Sequence, residues 1–123
     1  MTYHRSVIRR EERRRNRSKK TSRFHRNRLR LVIYRSLRHF EAQIIDDFKG
    51  ETLISSSSKD KSLKNKISKT KNKTDLSKIV GESIAKKALK ANLESVVLDR
   101  NGYPYHGRVK AFADSVRDNG LVL

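Results

Sequence analysis

The fold of this chain is decided by the stretch TDLSKIVGESIAKKALKANLESVVLDR, residues 74–100. Its first part carries apolar residues at helical spacing after a candidate N-cap at Thr74 or Asp75, and it predicts an amphipathic helix that ends at Asn92. The remainder, SVVLDR, is a short apolar run typical of a buried strand. A helix that leads into such a strand predicts a crossover and a parallel strand pairing.

Three shorter segments before this stretch predict the rest of a sheet. LRLVIYRS, residues 29–36, is rich in β-branched and aromatic side chains and alternates as a strand covered on both faces would. FEAQIIDD, residues 40–47, and TLISS, residues 52–56, read as two further strands separated by a turn at Gly50. The three segments together predict an antiparallel meander.

A second helix is predicted after Gly107, with an apolar stripe formed by Val109, Phe112, Ala113 and Val116 and an end at Asn119 and Gly120. The predicted order is strand, strand, strand, helix, strand, helix. This order indicates an α/β fold with a mixed sheet of about four strands and helices packed on it.

The charge of the chain points to a polyanionic partner. Its 123 residues carry 31 Lys and Arg against 13 Asp and Glu, a net charge of +18, and such an excess repels itself unless phosphates neutralise it. Residues 1–30 hold 13 of the basic side chains and residues 55–78 hold eight, whereas the remainder is nearly neutral. Nucleic acid is therefore the expected partner.

The two basic segments are predicted to differ in behaviour. Residues 1–28 form an arginine-rich arm, with helix-compatible composition from about Tyr3 to Lys20, that we expect to be mobile alone and helical on a partner. A solvated helix face is the alternative. Residues 55–74 are predicted to form a lysine-rich loop, which either faces a polyanion or serves as a solvated linker. Residues 29–123 then form a single α/β domain.

Several classes of protein are disfavoured by the composition. Without cysteine there are no disulfides or thiolate metal sites, and the four histidines lack metal-ligand spacing. No apolar run approaches the roughly 18 residues of a membrane-spanning helix, and no signal peptide is visible. The sequence therefore predicts a soluble cytoplasmic protein without a cofactor, a metal, a membrane partner or a small-molecule substrate.

Two enzymatic hypotheses compete with a binding function. Glu41, Asp46, Asp47 and Asp99 lie near strand ends, where carboxylates of a metal-dependent nuclease could stand, but turn chemistry explains them equally well. His106 with Asp99 and a serine of the serine run could mimic a hydrolytic triad, yet no nucleophile-elbow motif accompanies them. We predict no catalytic residues and no enzyme.

The segment DRNGYPYHGRVK, residues 99–110, combines the parts that RNA recognition uses. It follows the last predicted strand at its carboxyl end, where α/β sheets place their binding sites. Tyr103, Tyr105 and His106 can stack on bases, and Arg108 begins a helix whose dipole favours an anion there. The alternative is that Tyr103 packs on the core and that the glycines only turn the chain.

The predicted RNA-binding residues fall into three groups, and none of them is predicted to bind a metal. The arm contributes Arg5, Arg9, Arg10, Arg13, Arg14, Arg15, Arg17, Lys19, Lys20, Arg23, His25, Arg26 and Arg28. The first strand and the tip that follows it contribute Arg30, Arg35, Ser36, Arg38 and His39. The loop and the second helix contribute Tyr103, Tyr105, His106, Gly107, Arg108 and Lys110.

Motif order and spacing then resemble a known family. DRNGYPYHGRVKA, residues 99–111, and QIIDD, residues 43–47, are similar to segments of the bacterial ribosomal protein numbered eighteen in the large-subunit series, and the likeness extends over nearly the whole chain from about Val7. Asn101 stands where the family commonly has glycine, and Pro104 where it commonly has leucine. The lysine-rich segment is unusually basic for this family.

The resemblance implies a structural ribosomal protein that binds 5S rRNA. It further implies that the protein attaches this RNA to the large-subunit rRNA in the central protuberance, beside neighbouring ribosomal proteins. The implied fold is a ribonuclease H-like three-layer arrangement without that enzyme's activity, and the implied location is the cytoplasmic ribosome. The alternative is a non-specific nucleic-acid-binding protein of the nucleoid or RNA-chaperone type.

Overall fold

The structure is a computed structural model that describes residues 2–18 and 28–123. Its helices and strands follow the predicted order, with short helical turns added before the long helix. The elements are α1 Thr2–Ser18, β1 Leu29–Arg35, β2 Phe40–Asp46, β3 Glu51–Ser57, a 3-10 helix Lys61–Leu63, α2 Lys64–Ser68, α3 Lys73–Lys90, β4 Val96–Asp99 and α4 Arg108–Asp118.

The four strands form one mixed sheet in the order β3-β2-β1-β4. Antiparallel pairing joins β1 to β2 and β2 to β3, so the predicted meander is confirmed. Strand β4 runs parallel to β1, with Leu98 opposite Leu31, after the crossover through α3. This arrangement confirms the predicted α/β fold with a mixed four-strand sheet.

One face of the sheet forms the core together with α3 and α4. Leu31, Ile33 and Ile44 are fully buried on this face, and the rings of Phe40 from β2 and Phe112 from α4 meet with their centroids 5.0 Å apart. Tyr34 points to the other face and is 54% exposed. The prediction that β1 is covered on both faces is therefore wrong for Tyr34.

The N-cap of the long helix α3 lies two residues before Thr74 and three residues before Asp75, the two predicted caps. Asn72, in extended conformation, is the N-cap, and its side chain accepts a 2.8 Å hydrogen bond from the backbone N–H of Asp75. An Asn side chain at this position satisfies one of the free N–H groups of the first turn. Asn92 follows the last turn with a φ of 60°, which agrees with its predicted role in ending the helix.

Residues 55–74 do not form the single loop that their composition predicts. Strand β3 continues to Ser57, and the 3-10 helix and α2 follow after a short turn. Leu63 lies at the junction of the two and is only 7% exposed. The lysine-rich composition of the segment gives little sign of a buried side chain, but burial of Leu63 stabilises it. Most of its residues therefore adopt regular structure.

Gly81 gives a stringent test of the packing between α3 and α4. A Cβ atom at this position would lie 2.8 Å from the backbone oxygen of Phe112, and Ser115 of α4 donates a 2.7 Å hydrogen bond to the carbonyl of Lys78. Alanine normally stabilises a helix by about 1 kcal/mol relative to glycine. We expect Gly81→Ala instead to lower the free energy of unfolding by about 1–3 kcal/mol, because two backbones must separate.

Urea unfolding monitored by circular dichroism measures this effect, with Ser83→Ala on the same helix as the control. Ser83 is half-buried, and the control is expected to change stability by no more than about 0.5 kcal/mol. A stabilised Gly81→Ala protein would contradict the close approach of the two helices.

Candidate nucleic-acid interface

Helix α1 presents an arginine-rich surface. Between residues 5 and 17 it carries seven arginines against Glu11 and Glu12, and all seven arginine side chains are exposed. Arg13 donates a 3.3 Å hydrogen bond from Nε to the backbone oxygen of Arg9, one turn earlier. Most of the guanidinium groups are therefore presented to the surroundings from a regular scaffold.

The backbone of α1 approaches the loop that follows β4. A Cβ atom at Gly102 would lie 3.0 Å from the backbone nitrogen of Arg15, so glycine permits this approach. Gly102 also has a φ of 81°, a conformation that glycine adopts without strain. The arm and the loop predicted to bind RNA thus lie next to each other.

The loop between β4 and α4 is shaped by Asp99 and Asn101. The carboxylate of Asp99, which is 3% exposed, accepts a 2.9 Å hydrogen bond from the backbone N–H of Asn101. Asn101 has a φ of 53°, in the left-handed region that asparagine tolerates better than most residues other than glycine. This explains how asparagine can stand where glycine is common in the resembling family.

Tyr103 joins this loop to the end of β1. Its hydroxyl donates to the backbone oxygen of Arg35 and accepts from the Arg35 backbone N–H, both at 3.3 Å. The guanidinium of Arg35 stacks over the tyrosine ring at 4.7 Å from its centroid, and the ring packs beside the core. Tyr103 therefore packs on the core, as the alternative interpretation expected. In addition, Arg35 covers one face of the ring.

Arg35 and Arg108 form a pair of neighbouring cations. Arg108 is half-buried and donates a 2.8 Å hydrogen bond from Nη1 to the backbone oxygen of Ser36. Partial burial, followed by the positive charge of Arg35, lowers the pKa of the Arg108 guanidinium. Within the described part of the chain, neither arginine lies within salt-bridge distance of a carboxylate. An anion placed between them would relieve this repulsion.

The β1–β2 tip is held in a defined conformation. Ser36 and His39 exchange backbone and side-chain hydrogen bonds of 2.9 and 3.1 Å, and Nδ1 of His39 lies 2.9 Å from the hydroxyl of Ser58. Ser58 in turn accepts a hydrogen bond from the backbone N–H of Phe40. Arg38 is exposed at the tip, and of the predicted patch of Ser36, Arg38 and His39 it is Ser36 that contacts the Arg108 guanidinium, through its backbone oxygen.

A cavity of about 570 Å³ lies between α1 and the β4–α4 loop. Arg14 and Arg17 line it from the helix, and Arg100, Tyr103 and Pro104 line it from the loop. A cavity of this size accommodates a nucleotide. Arg100 was not among the predicted site residues, although its basic side chain directly after the last strand was a signal that could have identified it.

Arg30 has a different environment from the other predicted arginines. It donates to both carboxylate oxygens of Asp47, at 3.0 and 2.9 Å, and to Asp99 at 2.8 Å. The hydrogen bonds to Asp47, followed by the one to Asp99, raise the pKa of the Arg30 guanidinium above its usual value. Its charge is thus balanced within the protein, where it ties the β2–β3 turn to the end of β4.

The carboxylates of the nuclease hypothesis have structural partners. Asp46 accepts hydrogen bonds from the backbone N–H groups of Phe48 and Lys49 and so closes the β2–β3 turn. Glu41 accepts a 3.3 Å hydrogen bond from the hydroxyl of Ser57. Over residues 2–18 and 28–123, no group of three or more His, Cys, Asp and Glu side chains could hold a metal ion. The same residues contain no helix suited to spanning a membrane.

The remaining predicted residues are distributed around these features. Tyr105, 38% exposed, accepts a 2.7 Å hydrogen bond from Arg117, and Gly107 is the N-cap of α4 with a φ of 61°. Arg28, His106 and Lys110 are exposed. Five predicted residues lie outside the described part of the chain: Lys19, Lys20, Arg23, His25 and Arg26.

Comparison with known proteins gives one consistent result. Residues 5–123 match the family model described as ribosomal L18 of archaea, bacteria, mitochondria and chloroplast. The large ribosomal subunit protein uL18 of Staphylococcus haemolyticus is 55% identical over 92 residues, which cover 75% of this chain and 74% of the relative. The uL18 protein of Dictyoglomus thermophilum is 53% identical over 92 residues, 75% of each chain. This chain therefore belongs to the ribosomal L18 family of large-subunit proteins.

Proposed function

We propose that the chain binds 5S rRNA and helps to attach it to the large-subunit rRNA in the central protuberance, beside neighbouring ribosomal proteins. The observation that carries this proposal is the pair Arg35 and Arg108, two cations held by intramolecular contacts and without a carboxylate partner among the described residues. A site built in this way favours a phosphate group, because the phosphate replaces repulsion by two attractive contacts.

In this proposal, two parts of the chain contact the RNA in different ways. Residues 1–28 act as an arm that follows the RNA backbone, with guanidinium groups donating paired hydrogen bonds to phosphates. Residues 29–123 form the domain that presents the β4–α4 loop. In this loop the exposed Tyr105 and His106 contact bases or ribose hydroxyls, while Arg108 and Arg35 hold the backbone. The arm and loop together form one RNA-binding surface.

The boundary of the arm at residue 28 stays a prediction, because residues 19–27 lie outside the described part of the chain. So does the contribution of the individual predicted residues to RNA binding. Arg30 is the member of the set with the weakest support, since its guanidinium is already satisfied by Asp47 and Asp99. Arg100 is added to the set because it lines the cavity beside Arg14 and Arg17.

Substitution of Arg108 tests the proposal. Arg108→Gln removes one charge from the pair, and loss of a charge-assisted hydrogen bond of about 1.5–3 kcal/mol predicts an affinity for 5S rRNA lower by roughly 10- to 100-fold. Lys49→Gln removes one exposed charge from the β2–β3 turn and is the matched control, with an expected change of about twofold or less. Filter binding with labelled 5S rRNA measures both.

Competition distinguishes this function from non-specific nucleic-acid binding. Unlabelled 5S rRNA should displace the labelled RNA, whereas an equal mass of duplex DNA or unrelated RNA should not. Displacement by all three with equal efficiency would support a nucleoid or chaperone-type protein instead. Equal effects of Arg108→Gln and Lys49→Gln would show that the arginine pair is not part of the binding surface.

A further inference from the structure

A second cationic surface lies in the segment that follows β3 and in the long helix α3. Between residues 59 and 90 there are eleven lysines against three acidic residues, a net charge of +8. This part of the chain flanks β3, which is one edge of the sheet, whereas the β4–α4 loop follows β4 at the opposite edge. Three strand spacings of about 4.8 Å each separate the two edge strands.

The lysines are presented from folded elements. Leu63, which directly precedes α2, is buried, and a cavity between α2 and α3 is lined by Leu63, Ile79, Lys66 and Lys90 among others. Lys87 of α3 lies 3.7 Å from Asp60 and donates a 2.9 Å hydrogen bond to the backbone oxygen of Ser55. These contacts hold the segment between β3 and α3 against the long helix.

Acidic side chains balance only part of this charge. Lys66 and Lys86 share Glu82, Lys87 pairs with Asp60, and Lys59 lies near Glu41. Several exposed lysines of the segment have no carboxylate within salt-bridge distance in the described part of the chain. We call the following the lysine surface: Lys61, Lys64, Lys69, Lys71, Lys73 and Lys90.

The chemistry of this surface fits a phosphate backbone better than a protein. Protein interfaces are anchored by aromatic and large apolar side chains and are depleted in lysine. Between residues 59 and 90, Leu89 is the one large apolar side chain with substantial exposure, at 41%. Lysine ammonium groups on flexible stems instead suit sequence-independent contact with successive phosphates.

We propose that the lysine surface binds a second RNA segment, part of the large-subunit rRNA, while the arm and the β4–α4 loop bind 5S rRNA. This inference rests on the proposed function for the identities of the two RNAs. It makes the chain a bridge with two separate RNA-binding faces on opposite edges of one sheet. The contacts on the lysine face are to phosphates, so they carry no base specificity.

The test uses the full chain with Lys64, Lys69, Lys71 and Lys73 all changed to glutamine, and a matched protein with the same four changed to arginine. None of the four lysines has an ion pair among the described residues, and all are exposed, so the fold should be retained. Each protein is bound to labelled 5S rRNA, and the complex is titrated with deproteinised large-subunit rRNA on native gels.

We expect the glutamine variant to bind 5S rRNA within about twofold of the original protein, because the four lysines belong neither to the arm nor to the β4–α4 loop. Capture of large-subunit rRNA by its 5S complex should weaken by about tenfold or more at about 0.1 M salt. The slope of log affinity against log salt should become shallower by about 3, as loss of four phosphate contacts requires. The arginine variant should behave as the original protein does.

Three outcomes would overturn the inference: unchanged capture of large-subunit rRNA by the glutamine variant, an equal loss of 5S binding, or displacement of the large-subunit rRNA by polyglutamate more effectively than by an unrelated RNA of equal charge. The last would identify the partner as an acidic protein segment. Failure of the original protein to select 5S rRNA would reject the proposed function alone. The lysine surface would then be judged by capture of large-subunit rRNA without 5S rRNA present.

Discussion

Replacing six arginines of α1 by glutamine is expected to lower the affinity for 5S rRNA on the order of 10³-fold at about 0.1 M salt. The substituted residues are Arg5, Arg9, Arg10, Arg13, Arg14 and Arg17, all exposed on one regular helix. Each phosphate that an arginine neutralises releases counterions, and this release drives much of the binding. Glutamine has a helix propensity close to that of arginine, so the scaffold should remain.

Filter binding between about 50 and 200 mM salt measures this effect directly. With 6–10 neutralised phosphates, the original protein should lose roughly 10³- to 10⁵-fold in affinity over this range, and the variant should show a much shallower slope. The matched control carries lysine at the same six positions and should keep most of the salt dependence. Binding of the original protein that stays flat across this range would contradict an electrostatic role for the arm.

Phe112→Ala is expected to lower the free energy of unfolding by about 3–5 kcal/mol. The ring is fully buried, and it contacts Phe40 across the junction of α4 with the sheet. Its removal leaves a cavity that the surrounding side chains cannot fill without moving α4. Because many domains are stable by only about 5–15 kcal/mol, such a loss is a large share of the total.

Phe48→Ala is the matched control for this substitution. Phe48 lies in the β2–β3 turn and is 95% exposed, so the same chemical change should alter stability by about 0.5 kcal/mol or less. Urea unfolding of the two variants side by side gives the difference. Equal stability losses would show that the core described around Phe40 and Phe112 is wrong.

Most of the fold was predictable from periodicity. The strand of residues 29–36, the helix after Asp75 and the helix that carries Phe112 and Val116 form where their patterns predict them. The exception in burial is Tyr34, which is exposed on a face of β1 that was expected to be covered. Where a predicted helix boundary is wrong, the cause is local. For example, the side chain of Asn72 caps α3 and lets the helix begin before the predicted caps. The short helices before α3 were missed because their apolar contact depends on one leucine, Leu63, surrounded by lysines.

The identity of the family was also recognisable from the sequence, since the match over residues 5–123 confirms the resemblance carried by the β4–α4 loop and the β2 strand. The relatives are proteins of the large ribosomal subunit, which confirms the predicted location on the ribosome. A family of ribosomal proteins also agrees with the prediction that the chain is not an enzyme.

The candidate site was predictable in composition but not in its contacts. Basic and aromatic residues near the last strand predicted an RNA-binding site there, yet the sequence did not distinguish Arg30 from Arg35 on the same strand. In the structure, Arg30 is paired with Asp47 and Asp99, while Arg35 stacks on Tyr103 and repels Arg108. Of Arg30 and Arg35, only Arg35 keeps a charge that no carboxylate of the described residues balances and that a phosphate could balance.

Charge density, apolar periodicity and capping residues are properties of neighbouring positions, so the order of strands and helices and the preference for a polyanion follow from the chain itself. Partners that lie 69 or 72 positions apart, as Arg30 with Asp99 and Ser36 with Arg108 do, depend on how the strands are ordered. The parallel pairing of β4 with β1 brings these residues together. It thereby determines which arginines are neutralised inside the protein and which remain available to RNA.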